Sequence, residues 1–428
     1  MKHTVTELKL PNGAKGLLIH IPQATVMNFA FNFRAGEYLV TRDKWETPHL
    51  MEHLLLGANE QVPKARAFQA EFEKNGAYNN ASTGTYDITY EAECADFEWN
   101  RILRLLLTAI SKPLFLAEEF TAEFGNVREE LTARSNNHFR HLSLCLRQQF
   151  GFSVLPDQER LEQMDNVELQ DIREHYKSTH TASNLRFVIA GKFGASRFSS
   201  VEKLLQGFAL PAGNGRTELP VERPKTLKQP LHIHNETVEN MYFYLDTFMN
   251  RKMSDPEGDA LGLLNSILTE TFYSRILGTA RERGLVYHIS SGFGQSAQST
   301  NWWFGAQVMP NHAEALFEIM IHELQEMKAG RLEDHEIAAA KQYALGRYQR
   351  SGQTVGGIAD GYAERYFFDD IIDDYYAIPK RIKAITSAAL TQVNHDMFAD
   401  KIWGLGTLGN SGERFTDQLN TKLSPLWQ

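Results

Sequence analysis

Two histidines bracket a glutamate in His49-Leu50-Met51-Glu52-His53, an H-x-x-E-H pattern. Side chains four apart on a helix share a face, so His49 and His53 can hold one metal ion together. Imidazole suits Zn²⁺, and Glu52 stands within reach of a water on that ion. A carboxylate that takes a proton from such a water turns it into a nucleophile. The local sequence asks for a helix. Thr47 is an N-cap candidate, and Pro48 fits the first helical position. Leu50, Leu54 and Leu55 form an apolar stripe, and Gly57 is a stop signal. The plainer alternative is a buried helix with two histidines and no chemistry.

Two imidazoles leave a catalytic zinc one protein ligand short, and a carboxylate is the usual third. The segment Glu123-Phe124-Gly125-Asn126-Val127-Arg128-Glu129-Glu130 offers candidates on a predicted helix. Glu123 and Glu130 lie two turns apart and face the same way. Glu129 points about 100° away from Glu130. A charged helix surface would read the same.

The elements that must position these groups come in two similar series. The Pro- and Gly-rich stretch over 211–230 reads as a linker between domains over 1–210 and 231–428. Each half opens on an apolar strand, Val26 to Phe33 and Met241 to Leu245. A helix follows, the H-x-x-E-H segment in one and Ala260 to Thr271 in the other. Gly-containing turns then lead into alternating strands, ending at Tyr86 to Tyr90 and at Trp302 to Phe304. Two long helices come next, Trp99 to Ile110 with Ala117 to Arg134, and Ala313 to Lys328 with Glu333 to Arg350. Short apolar strands close the halves, Asn184 to Ala190 and Ile402 to Leu408. This order predicts a duplicated α+β unit, a mainly antiparallel sheet with helices packed on it. The second half has no H-x-x-E-H.

Composition narrows the function. The chain has 428 residues, 42% hydrophobic and 23% charged, as expected of a two-domain globular protein. No apolar run approaches the ~20 residues of a membrane span. Met1 to Leu8 has neither an apolar h-region nor transit-peptide character, so a cytoplasmic location is expected. A net charge of −9 argues against nucleic acid as a partner. Cys94 and Cys145 are too few for a disulfide framework and read as core thiols. His138 with His141 and His232 with His234 have ligand spacing but no matching carboxylate, and read as polar faces. Phe367 to Tyr376 reads as a structural loop and helix start.

Taken together, the chain resembles the M16 peptidases, the group of pitrilysin, insulin-degrading enzyme and the mitochondrial processing peptidases, and among them the small bacterial type. Their inverted zinc motif (the inverzincin polarity) is followed by a ligand glutamate about 77 positions past the second histidine. Counting from His53, that is Glu130, and a further family glutamate seven residues earlier falls on Glu123. The resemblance implies a zinc metallopeptidase of two homologous LuxS/MPP-like domains forming half of a clamshell. His49, His53 and Glu130 would ligate one zinc per chain, Glu52 would be the general base, and Glu123 would orient a ligand or the water.

The same resemblance implies how substrate is held. Asn80-Ala81 matches a strand-edge pair that binds the peptide backbone, a form of β-addition. In the second half, Arg281-Glu282-Arg283-Gly284-Leu285-Val286-Tyr287 matches a segment whose arginine and tyrosine reach the substrate carbonyl. Tyr287 fits. The arginine's usual place, seven residues earlier, is Ala280; Arg281 is six before, and Arg283 is the substitute candidate. Ala35-Gly36-Glu37 departs from the family's Gly-Ser-Arg and is expected to serve the fold. A homodimer cutting peptides or unfolded segments is expected, with a heterodimer as the variant. The alternative is a non-catalytic or substrate-presenting subunit of a heteromeric complex.

Overall fold

A computed structural model describes the whole chain, Met1–Gln428. The strands are β1 (Thr4–Lys9), β2 (Lys15–His20), β3 (Val26–Phe33), β4 (Tyr78–Thr83), β5 (Ile88–Ala95), β6 (Leu185–Gly191), β7 (Leu231–His234), β8 (Met241–Met249), β9 (Ile289–Gln295), β10 (Thr300–Val308) and β11 (Ile402–Gly409). They form two sheets, ordered β1-β2-β6-β3-β5-β4 and β7-β11-β8-β10-β9. Without the β1 hairpin the two orders are the same. In both, the last strand runs parallel to the first and every other pairing is antiparallel. The duplication expected from the order of elements is therefore present, in an α+β fold.

Burial follows strand position. β3 is central, pairs with β5 and β6, and its VMNFAFNF sequence is almost wholly buried. β4 is the edge strand, and its YNNAST sequence alternates between exposed and half-buried residues. Polar, non-aliphatic residues are what an edge facing water tolerates. The core of the first sheet is built on Phe29, Phe31, Phe33 and Phe187, with Phe31 opposite both Tyr90 and Phe187. Each fully buried large side chain contributes roughly 1.5–3 kcal/mol.

Two compact units result, and they are not the contiguous halves 1–210 and 231–428. The first comprises Met1–Thr132, Gln158–Leu219 and Gln349–Tyr375; the second comprises Ala133–Asp157, Pro220–Tyr348 and Tyr376–Gln428. The helices His138–Phe150 and Val355–Asp369 are thus exchanged between halves of the chain. In the second unit, His138–Phe150 lies on β8 and β11, burying Leu142, Leu146 and Phe150 against Tyr244 and Phe248. In the first unit, Val355–Asp369 lies on β3 and β6. The physical reason is that each sheet has an apolar second face, and covering it buries more surface than leaving it wet.

The exchanged helix in the first unit is held at its C-terminal end. Asp370 follows it in the left-handed region, φ 57°. Arg34 donates to the Phe368 carbonyl at 2.5 Å and Arg216 to that of Phe367, so two guanidiniums cap the last turn. Arg186, almost fully buried, pairs with both carboxylate oxygens of Asp370. Phe367 to Tyr376 is accordingly a helix end, a loop and the start of the next helical stretch at Tyr375. Arg216 belongs to the expected linker, which lies along the first unit: Ala182 and Ser183 donate to Pro211 and Ala212 at 2.7 and 2.9 Å.

Candidate metal centre

The histidine helix runs Thr47–Leu55 and buries Leu50, Met51, Leu54 and Leu55 in the core of the first unit. Thr47 is not its N-cap. Glu46 takes that place in a helical conformation, φ −79° and ψ −1°, with no side-chain cap, and Thr47 Oγ1 is buried without a partner. The reason lies in the Glu46 carboxylate, which turns inward. It accepts from His49 Nδ1 at 3.0 Å and from Arg160 Nε and Nη2 at 2.5 and 3.1 Å. Arg160 in turn pairs with Glu37 at 3.0 Å. The stretch Ala35-Gly36-Glu37, expected to serve the fold alone, therefore reaches His49 through Arg160 and Glu46. Gly36 is required there, because a Cβ would stand 2.4 Å from the Gly84 carbonyl oxygen.

The glutamate helix, Ala117–Ser135, is anchored to the loop after the histidine helix. Glu119 accepts from the backbone N–H of Ala58 and of Ala65, both at 3.0 Å. This sets Glu123 and Glu130 against the histidines. Glu123 Oε2 accepts from His53 Nδ1 at 2.9 Å. Both imidazoles thus have Nδ1 held by a carboxylate, which leaves each Nε2 to point into the site. The two Nε2 atoms face one oxygen, Glu130 Oε2, at 3.4 Å from His49 and 3.6 Å from His53.

Those separations fit a shared ion. Two ligand atoms at ~2.0–2.1 Å from a tetrahedral zinc lie about 3.4 Å from each other. Glu52 also belongs to the cluster, with an oxygen within 4.8 Å of the histidine nitrogens. Thr83 Oγ1, at the end of β4, donates to Glu52 Oε2 at 3.0 Å. Glu130 is the better ligand on distance; Glu52 stands beside it, held from the edge strand. Glu129 takes no part in these contacts.

The electrostatics ask for positive charge. Four carboxylates, from Glu46, Glu52, Glu123 and Glu130, surround the two rings, with Arg160 as the buried cation. Burial opposes the charge of His49, yet hydrogen bonds to Glu130 and Glu46 outweigh it and raise its pKa to about 9. Burial likewise resists the Glu46 charge, and His49 with Arg160 overcomes it, taking its pKa down to about 2. The hydrogen bond from His53 lowers Glu123. A proton on His49 supplies part of the charge that a dication would supply.

Asn80 and Ala81 lie on β4, the open edge of the first sheet, which packs along the histidine helix. Arg281 and Tyr287 lie in the second unit. Arg281 is in the last turn of the helix Arg275–Glu282. Its guanidinium sits 4.4 Å from the Tyr287 ring centroid and 5.0 Å from that of Phe272, and donates to the Tyr287 carbonyl. Ala280 is fully buried and Arg283 is exposed, so of the two arginines it is Arg281 that meets the tyrosine. Sequence reasoning missed Glu46, Arg160, Glu37 and Phe272. A glutamate three residues before a ligand histidine was a usable signal for Glu46; nothing local marks Arg160.

Fold and donor set define a duplicated α+β protein with one metal-type centre, in its first unit. The chain belongs to peptidase family M16. The family profile described as Insulinase (Peptidase family M16) matches residues 17–153, and Peptidase M16 inactive domain matches 166–343. The second match begins at residue 166 in the first half and runs to residue 343 in the half without the histidine motif. The fold is similar to a protease from Helicobacter pylori, at 18% identity and TM-score 0.82, over 95% of this chain and 100% of that one. It is also similar to a peptidase M16 inactive domain from Pseudomonas fluorescens, at 16% identity and TM-score 0.82, over 96% and 98%. No helix is long and apolar enough to cross a membrane.

Proposed function

We propose that the chain is a zinc-dependent endopeptidase acting on peptides or unfolded segments. The observation that carries this is the convergence of His49 Nε2 and His53 Nε2 on one Glu130 oxygen, with Glu52 beside them. Zinc held by His49, His53 and Glu130 would supply Lewis acidity and an activated water. Glu46 and Glu123 hold the rings in the tautomer that presents Nε2. Glu52 takes the proton at its carboxylate and passes it to the leaving amine, while Thr83 fixes its orientation. The β4 edge at Asn80-Ala81 offers main-chain hydrogen bonds to an extended peptide, so binding is largely independent of side chains. Tyr287 and Arg281 supply hydrogen-bond donors to the oxyanion. In a dimer, the second unit of one copy meets the metal of the other. A cytoplasmic location goes with this reading.

Metal analysis tests it first, with one zinc per chain expected. Glu52→Gln then keeps the metal and loses about 10²–10⁴ in kcat/KM on unstructured peptides. Unchanged turnover removes Glu52 as the base. A zinc-loaded chain that cuts no peptide in a broad library favours the substrate-presenting subunit of a heteromeric complex instead.

A further inference from the structure

The second unit carries a counterpart of the metal centre. Its helix Asp255–Asn265 continues as a π-turn, Ser266–Glu270, in the place of the histidine helix. Its helix Asp334–Ser351 repeats the glutamate helix, and Arg347 stands thirteen residues into it, as Glu130 stands thirteen into Ala117–Ser135. Arg347 pairs with Glu270 at 2.9 Å. Glu270 is held besides by Asn265 at 2.9 Å and Ser266 at 3.0 Å. A guanidinium therefore provides the cation here, and the charges close among themselves.

Beside that pair is a cavity of about 220 Å³, lined by Ile267, Tyr273, Ala339, Ala340, Tyr343 and Glu336 among others. Its one carboxylate is committed: Glu336 takes Arg275 at 2.7 and 2.5 Å. Three hydroxyls also line it, and each has a partner: Ser266 donates to Glu270, Ser274 to the Thr271 carbonyl, and Thr271 accepts from the Tyr273 N–H. The walls thus offer methyl groups, two phenol rings and satisfied hydroxyls, with no unpaired charge. A dry apolar cavity of ~150 Å³ is large enough for benzene. Behind the lining residue Ser266, Asn265 Oδ1 accepts from the buried Trp302 indole at 3.0 Å and from Ser291 at 2.5 Å, which ties the π-turn to the sheet. π-turns are frequent at functional sites.

The rim joins this cavity to the Arg281 cluster. Tyr273 lines the cavity, its neighbour Phe272 stacks on Arg281, and they are 66% and 72% exposed. Gly278 makes this loop possible, since a Cβ there would stand 2.6 Å from the Phe272 carbonyl oxygen. We infer that the cavity is a specificity subsite that takes one uncharged aromatic side chain of a bound peptide, with Tyr273 and Tyr343 as its ring partners. This rests on the peptidase reading for the peptide itself. Edge-to-face ring contact favours an aromatic occupant over an aliphatic one.

The test uses the full chain and two end-blocked peptides, Gly-Gly-Phe-Gly-Gly and Gly-Gly-Ala-Gly-Gly, with binding read by calorimetry. Wild type is expected to bind the Phe peptide at least about tenfold more tightly, from the buried ring. Ala339→Phe fills the cavity and erases the preference. Tyr273→Ala, at an exposed position that the fold does not need, reduces it severalfold. Equal binding of the two peptides by wild type, or a preference that survives Ala339→Phe, overturns the subsite. Glu52→Gln separates this from the peptidase reading. Turnover that depends on Glu52 without any Phe preference removes the subsite alone. A Phe preference in a chain with no turnover leaves the subsite standing and removes the peptidase.

Discussion

Glu46→Gln is the substitution that divides metal support from fold support. Glu46 is fully buried, and one carboxylate serves both His49 and Arg160. Glutamine keeps the volume and one acceptor oxygen but loses the charge. Removing one partner of a buried ion pair costs about 3–5 kcal/mol. Arg160 keeps Glu37 at 3.0 Å, so the loss belongs near the lower end, about 3 kcal/mol. For a unit of this size that is roughly 6–12 °C in Tm. Groups that orient a metal-binding histidine are worth about 10–100-fold in affinity. Zinc affinity is measured by chelator competition, and stability by thermal scans of the metal-free protein. Glu37→Gln is the control, because it touches Arg160 and not His49; it should lower Tm and spare zinc affinity. The acid limb adds a check. The Glu46 pKa is depressed from 4.5 to about 2, so its contribution is present above about pH 4.5 and fades as pH falls toward 2. The stability gap between wild type and Glu46→Gln should narrow over that range. Wild-type zinc affinity in Glu46→Gln, with Tm lowered, would refute the positioning role and leave Glu46 a fold residue.

Other expectations follow from the same contacts. Asp370→Asn leaves Arg186 buried beside Arg34 and Arg216 without its counter-charge; because Asp370 is about a third exposed, the cost lies toward 3 kcal/mol, read by denaturant midpoint with unchanged m. An unshifted midpoint would show that the exchanged helix is held by packing alone. Asp246 is fully buried on β8, and burial raises its pKa from 3.8 to about 7 against Arg147 and its bond from Asn301. The unfolded chain releases that proton sooner, so stability falls as pH rises from about 4 to 7. Asp246→Asn should therefore gain stability at pH 8, with a ceiling on the order of 4 kcal/mol, and gain none at pH 4. Equal effects at both pH values would sink this. Gly278→Val pushes the Phe272 loop off its helix, and should release Arg281 from its ring stack. Tyr287 fluorescence or a changed oxyanion contribution to kcat reads that out; an unaltered kcat would separate the stack from turnover.

Much of this was legible because period and spacing are local. The H-x-x-E-H helix, the glutamate helix and the repeat order follow from residues within a few turns of each other. What stayed hidden depends on long-range packing. Arg160 reaches Glu46 from 114 residues away, and no periodicity announces that. Thr47 looked like an N-cap because threonine commonly is one, but the buried carboxylate before it settled the helix start. The composition of 211–230 marked a linker between domains, and nothing in it announced that Arg216 caps a helix drawn from the other half. Of the groups that hold the two imidazoles, Glu123 was expected and meets His53, whereas Glu46 and Arg160 were not foreseen.

The exchange of helices ties the half with the histidine motif to the half without it. His138–Phe150 completes the second unit and Val355–Asp369 completes the first, each from the opposite half of the chain. Neither half can bury both faces of its sheet alone, so each is tied to the other by folding before any chemistry is considered. In the half without the motif the Glu270–Arg347 pair stands between the two helices, and an internal ion pair satisfies their charges. With the cation built in, the space beside it needs no ligand for its electrostatics, and apolar residues can line it at no cost in unpaired charge. The aromatic subsite proposed for that space follows from the same pair, which leaves no charge there for an occupant to neutralise.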